Sequence, residues 1–360
     1  MIYNRARIKT IDKVVFPEHV VRTQEFLLYR KGFPFREADI NIDDLPNNEV
    51  KRFMQDWYQW TQEEFILDFK VPCWIEPDFG WAIVGSHYLM YYSLGVSRTL
   101  FQPKPRLINF LRRKETSNLS KAISLRDTGE ENYFHFYNDV ISKLYFLQLN
   151  GIDIKSLPII ISAKLWNKPY FQHWLESVTD LRLLNWVVQG SQYIRCENTI
   201  FCKPLTHRRD LWSMVLSPLQ AVSKSSMVKK IFLVRNKQRL RFIENEGEIK
   251  DICERHGYTI VDADALTLGQ QIEIFSQAST IVGIHGAGLT NMAYANGCCK
   301  VLELFPPPEL NYLPYHYIML AKIKGFTYRA IIGKPGETKY SGGFKVESNK
   351  FLESLKEFDL

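Results

Sequence analysis

The chain of 360 residues has no run of Lys and Arg long enough to act as a nucleic-acid arm, although 46 Lys and Arg against 39 Asp and Glu leave a net charge of +7. That excess favours anionic partners without choosing among a nucleotide sugar, nucleic acid and an anionic membrane surface. No apolar stretch approaches the ~20 residues of a membrane span. The start, M-I-Y-N-R-A-R-I-K-T, lacks the apolar run of a signal peptide, so a reducing interior is the expected compartment. The six cysteines show neither C-x-x-C spacing nor a His at zinc-ligand spacing, and the neighbours Cys298 and Cys299 bridge poorly. Buried thiols are expected instead of a disulfide framework or a zinc centre. G-x-G-x-x-G is absent, which removes the main sign of a dehydrogenase. There is no internal repeat and no low-complexity tract.

What is present is a folded α/β composition, 46% hydrophobic and 24% charged, with 23 Phe, 18 Tyr and 8 Trp. The length suits two domains. The first ~125 residues read as short strands and hairpins, with an aromatic helical segment at 48–65 and a solvated connector at 111–121. Strand and helix then alternate from residue 121. A helix over 133–149 stops at Asn150-Gly151. Strands follow at 157–162, 230–234, 258–261, 280–284, 301–304 and 327–332, with helices between them. This alternation predicts parallel sheets with crossover helices. A terminal helix carries Phe351, Leu355 and Phe358 on one face.

Three groups of residues suggest chemistry. In H-G-A-G-L-T-N (285–291), Gly286 and Gly288 follow a strand and precede helix-like residues from Leu289 to Ala295. Bare backbone there can hold a phosphate against a helix N-terminus, or the glycines can simply make a tight turn. His285, Thr290 and Asn291 add polar groups that a plain turn does not require. Arg235 follows directly on another strand, where ligands of open α/β sheets bind, and can fork onto a diphosphate. Lys237, Arg239 and Arg241 support it or are solvated charges. Asn245 and Glu246 open a helix, so capping competes with a binding role. In N-Y-F-H-F-Y-N-D (132–139), His135 and Asp139 share a helix face. They form either a base with an orienting partner or a structural hydrogen bond. The D-x-D spelling of Asp262 and Asp264 is read as loop and cap residues and not as a metal site.

H-G-A-G-L-T-N, with A-S-T-I-V-G-I before it and V-L-E-L after it, resembles the signature of glycosyltransferase family 61. R-N-K-Q-R-L-R-F-I-E-N-E resembles the family's Arg…Arg…Asn-Glu block through Arg235, Arg241, Asn245 and Glu246, though not at strict spacing. F-H-F-Y-N-D resembles its upstream His-aromatic-Asp block. The resemblance spans about residues 121–332 and implies an α/β, GT-B architecture of two Rossmann-like domains facing across a cleft. On that reading 1–205 is the acceptor side, with 1–120 irregular and β-containing and 121–205 α/β. The nucleotide-sugar domain is 206–345, and 346–360 is the amphipathic helix.

The implied activity is inverting sugar transfer from a nucleotide donor, commonly a UDP-sugar, to a glycan or lipid-linked glycan, as in bacterial capsule or lipopolysaccharide synthesis. No cofactor or metal is required on that reading. The setting is cytoplasmic, with peripheral association with an anionic membrane and no nucleic-acid partner. His135 or Asp139 acts as base. Arg235, His285, Gly286, Ala287, Gly288, Thr290 and Asn291 hold the donor's phosphates or sugar, and Glu303 accepts from ribose hydroxyls. The alternative is a binding protein of the same fold that has lost catalysis.

Overall fold

The computed structural model describes residues 9–17, 27–34, 50–52, 61–85, 87–94, 102–205, 207–219, 229–235, 241–308, 313–337 and 342–359. The chain is mixed α/β and divides into two compact units. Met1–Gly32 and Gln62–Val215 form the first; Phe33–Thr61 and Leu216–Leu360 form the second.

The first unit contains a sheet built on β1 (Thr61–Phe69), β2 (Ala122–Ser124), β3 (Ile159–Ser162), β4 (Trp186–Gln189) and β5 (Thr199–Lys203). These five lie in the order β4-β3-β2-β5-β1, with a sixth strand, Leu27–Pro34, beyond β1; β4, β3, β2 and β5 are parallel and β1 runs antiparallel to β5. Residues 61–65, expected to end a helix, are strand, because alternate residues Phe65, Leu67 and Phe69 face a buried core. That core also takes Cys73, Ile75, Ala82, Val84, Ile194 and Cys196 from a second sheet of short strands. The twofold spacing is that of a strand, and the intervening Glu64, Ile66 and Asp68 are buried on its other face. The expected connector at 111–121 is corrected too. Glu115–Leu119 is a strand parallel to Tyr193–Cys196, at the edge of the second sheet, where a polar strand is tolerated.

One helix, α1, crosses from β2 to β3. It runs through Tyr133–His135, a π-helical stretch Phe136–Ile141 and Ser142–Leu149. Asn132 starts it, its side chain accepting from the Phe134 and His135 N–H groups, and Gly151 closes it with a left-handed φ of 75°.

The second unit is organised by five parallel strands. These are β6 (Lys229–Val234), β7 (Tyr258–Asp262), β8 (Ala278–Ile284), β9 (Lys300–Phe305) and β10 (Thr327–Ile332), in the order β7-β6-β8-β9-β10. The crossovers are helices α2 (Glu246–Arg255), α3 (Leu268–Ser276) and α4 (His316–Lys324), with a 3-10 helix, Ala287–Tyr294, between β8 and β9. Strand order reverses direction at β6 and β8, and in such sheets the crevice beyond the carboxyl ends of those two strands is where ligands bind. The terminal helix α5 (Ser348–Asp359) docks beside α2. Its Phe351 and Leu355 are fully buried with Phe232, Ile249 and Leu302.

Candidate active site

Arg235 and His285 are the first residues beyond β6 and β8, so the sheet topology brings them to the same end of neighbouring strands. The Arg235 Nη1 donates to the His285 carbonyl at 3.1 Å. Gly286 makes this possible, because a Cβ added there would lie 2.0 Å from that same nitrogen. Gly288 is close to a different side chain, with a Cβ reaching Leu233 at 3.2 Å. Gly286 therefore seats the guanidinium against the loop backbone. An open pocket of about 450 Å³, including its mouth, is lined here by Arg235, Gly286, Ala287, Gly288, Asp262 and Asp264. It combines a fixed cation and backbone N–H groups with two exposed carboxylates. A ligand with an anionic part and a hydroxyl-bearing part matches such a wall.

Other predicted residues lie behind this pocket. The turn after Gly286 is a 3-10 helix beginning at Ala287, not an α-helix from Leu289, and from Leu289 to Tyr294 it is buried against α3 and α4. Thr290 and Asn291 are fully buried, and the Asn291 Nδ2 donates to Gln271 of α3 at 2.8 Å. The Asn291 bond fixes the loop from inside the core, and the expected contact of the two residues with the donor is not among the contacts of these side chains. Glu303 is likewise fully buried. Its Oε1 lies 2.5 Å from the His285 Nδ1, and its Oε2 accepts from the Tyr328 hydroxyl at 2.5 Å. It thus orients His285 and does not face a ribose. Burial, with the charge of Glu303, raises the Tyr328 pKa well above its usual value, so the phenol keeps the proton it donates.

The ring of His285 stacks on Phe305 with centroids 5.1 Å apart, which leaves its carbonyl as the group that meets Arg235. Asn245 clamps the chain before α5, donating to the Val346 carbonyl at 2.9 Å and accepting from its N–H at 3.1 Å. Glu246 pairs with Lys250 one turn along α2 at 2.9 Å. Both are placed for structural roles at the helix start. Arg241 is half-buried with a left-handed φ of 70°, and its charge is felt by buried Tyr317, as is that of Arg235. Lys237 and Arg239 lie outside the described residues.

In the first unit the His135 Nδ1 and Asp139 Oδ2 are 2.5 Å apart, with side chains 38% and 30% exposed. The second Asp139 oxygen accepts from Asn138 Nδ2 at 2.8 Å. Asn138 is itself anchored, its Oδ1 accepting from the His207 N–H and the Trp212 Nε1, both at 3.0 Å. A carboxylate fixed in this way holds a proton on Nδ1 and makes Nε2 the basic nitrogen of a neutral ring. Burial lowers the His135 pKa, but the bond to Asp139 and the charges of Asp139 and Asp127 outweigh it and the net direction is upward. Asn138 and Asp139 lie on the π-helical stretch, which begins directly after His135 and is a distortion often found at functional sites. Among the described residues, the non-glycine positions with left-handed backbone are His207 and Arg241, one beside each cluster.

The family model described as glycosyltransferase 61 matches residues 133–302, which takes in the His135–Asp139 helix, Arg235 and H-G-A-G-L-T-N. The match supports a place for this chain in glycosyltransferase family 61. It also supports a glycosyltransferase activity, with a sugar donor and an acceptor as substrates. No curated protein matches the sequence. Family 61 motifs alone do not single out Asn138, Asp127 or Lys143. Lys143 is buried on α1 and meets Asp127, just beyond β2, at 3.0 Å. A lysine inside an apolar helical run was the available signal, because a buried ammonium needs a partner.

Among the described residues no group of three or more His, Cys, Asp or Glu side chains could hold a metal ion, and no helix is long and apolar enough to cross a membrane. Five cysteines are buried, while Cys298 is exposed.

Proposed function

We propose that this family 61 chain is an inverting, metal-independent glycosyltransferase of GT-B type, moving a sugar from a UDP donor to a glycan hydroxyl of a surface polysaccharide. The observation that carries the reading is the Arg235 guanidinium held against the Gly286–Gly288 backbone where the strand order reverses. The second unit takes the donor and the first takes the acceptor. His135 Nε2 removes the acceptor hydroxyl proton, while Asp139 holds Nδ1–H and stabilises the imidazolium. The acceptor oxygen bonds to the anomeric carbon as the bond to the diphosphate oxygen breaks, and this single displacement inverts the centre. Charge growing on the diphosphate is met by Arg235, Arg241 and the N–H groups of residues 286–288. Asp262 and Asp264, on the same pocket wall, suit the ribose hydroxyls.

A mass-spectrometric screen of the purified protein against a nucleotide-sugar panel tests the donor, with transfer or hydrolysis of a UDP-sugar expected. His135→Ala and Asp139→Ala should abolish transfer and leave UDP affinity nearly unchanged. Full turnover by both variants removes the base assignment, and no turnover or binding of any nucleotide sugar removes the whole reading.

A further inference from the structure

Ile108 and Leu111 are 46% and 61% exposed, and they lie three residues apart on the one-turn helix Leu107–Leu111, so they point to the same side. The helix is held in that orientation. Phe110 between them is buried, packing edge-on against Trp74 and Tyr193 at centroid distances of 5.7 and 5.8 Å. Arg113 lies over the rings of Trp74 and Phe110 and donates to the Phe110 carbonyl at 3.1 Å. The two apolar side chains are thus presented outward by a fixed support.

The chain segment around them carries one sign of charge. Residues 102–114 contain Lys104, Arg106, Arg112, Arg113 and Lys114 and no Asp or Glu, and Arg106, Arg112 and Lys114 are exposed. An open cavity of about 1080 Å³, including its mouth, adjoins the helix, with Ile108, Arg112, Arg113 and Lys114 on its wall together with Asp78. Basic residues alone suit any polyanion. Basic residues around an outward apolar pair suit a surface that is both anionic and apolar at slightly different depths, which is the boundary of an anionic bilayer.

We infer that the Leu107–Lys114 turn is a docking surface for an anionic membrane. Ile108 and Leu111 enter the boundary between headgroups and acyl chains, Arg106, Arg112 and Lys114 meet lipid phosphates, and the cavity receives a headgroup. The inference stands apart from the catalytic reading, since it uses none of the same residues. Co-sedimentation of the full chain with vesicles tests it, comparing equal parts phosphatidylglycerol and phosphatidylcholine with phosphatidylcholine alone.

The expected result is binding to the anionic vesicles only, weakened roughly tenfold or more by the paired change Arg112→Glu and Lys114→Glu. Leu111→Ser should weaken it about tenfold as well, with thermal unfolding unchanged in both variants. Equal partition to both vesicle types overturns the inference. So does full binding by Leu111→Ser, which marks a purely electrostatic contact, or loss of vesicle binding in excess inorganic phosphate at constant ionic strength, which marks a free-phosphate site.

Discussion

Replacing Gly286 with alanine tests whether the glycine is there for the sake of Arg235. The backbone at Gly286 is extended, with φ 160°, so alanine adopts it without strain. The obstacle is the Arg235 Nη1, which would sit 2.0 Å from the new Cβ where ordinary contact begins at 3.4 Å. The guanidinium must move away by more than ~1 Å, and its bond to the His285 carbonyl is lost. Because the displaced group is the far end of a flexible side chain at the mouth of a pocket, the stability cost should be about 1–2 kcal/mol. The cost to binding should be larger. Losing a charge-assisted contact with a diphosphate removes about 2–3 kcal/mol, or roughly 30- to 150-fold in UDP affinity.

Calorimetric titration with UDP measures this for Gly286→Ala, Arg235→Ala and the double variant. Each single change should weaken binding by a similar factor. In the Arg235→Ala background the new methyl meets no guanidinium, so Gly286→Ala should add little further loss. Wild-type affinity in Gly286→Ala would refute the role given to the arginine. Full additivity would show that the glycine acts on the ligand independently.

Asn291→Ala should lower stability by about 1–3 kcal/mol, because half-buried Gln271 then loses its donor and the fully buried Asn291 site loses its packing, and denaturant unfolding at fixed pH measures it. Lys143→Met leaves the Asp127 carboxylate buried without its cation and should cost about 3–5 kcal/mol, whereas adding Asp127→Asn should recover much of it; a double variant no more stable than the single one contradicts the pairing. His135 has a folded pKa raised above its ordinary 6.5, so its bond to Asp139 contributes stability fully below the unfolded value and loses it as pH rises through the folded one. The stability gap between wild type and Asp139→Asn should therefore narrow as pH rises through the neutral range, and a gap that widens rules out the raised pKa.

Much of the second unit is legible in the sequence because its elements are set by short-range physics. Ala278–Ile284 and Lys300–Phe305 are brief apolar runs that only buried parallel strands accommodate, and α2 stops where Gly257 supplies a left-handed φ of 77°. The same holds for α1, between the Asn132 cap and Gly151. The expectations that missed depend on partners far along the chain. Glu115–Leu119 is too polar to read as a strand until Tyr193–Cys196 lies beside it. Glu303 looks like a ligand contact until His285, 18 residues back, and Tyr328, 25 residues on, are seen to occupy its oxygens. Asp262-Ala263-Asp264 is too short to show a periodicity, and only the sheet order brings it to the Arg235 pocket.

These burials change what H-G-A-G-L-T-N is for. A motif rich in polar residues invites the reading that each side chain touches substrate, yet Asn291 and the Glu303 that partners His285 are spent inside the protein. What faces the pocket is backbone, from Gly286 to Gly288, with Arg235 laid against it. A nest of backbone N–H groups works only when it is rigid, since a loop that must order itself on binding loses affinity to conformational entropy. The buried side chains therefore act on the ligand through the shape of the loop, while Arg235 acts on it by charge. The two roles separate by salt, because screening weakens an exposed guanidinium–phosphate contact and leaves a buried amide bond almost untouched. Raising ionic strength should erode the UDP affinity of Asn291→Ala as steeply as that of wild type, and erode that of Arg235→Ala less.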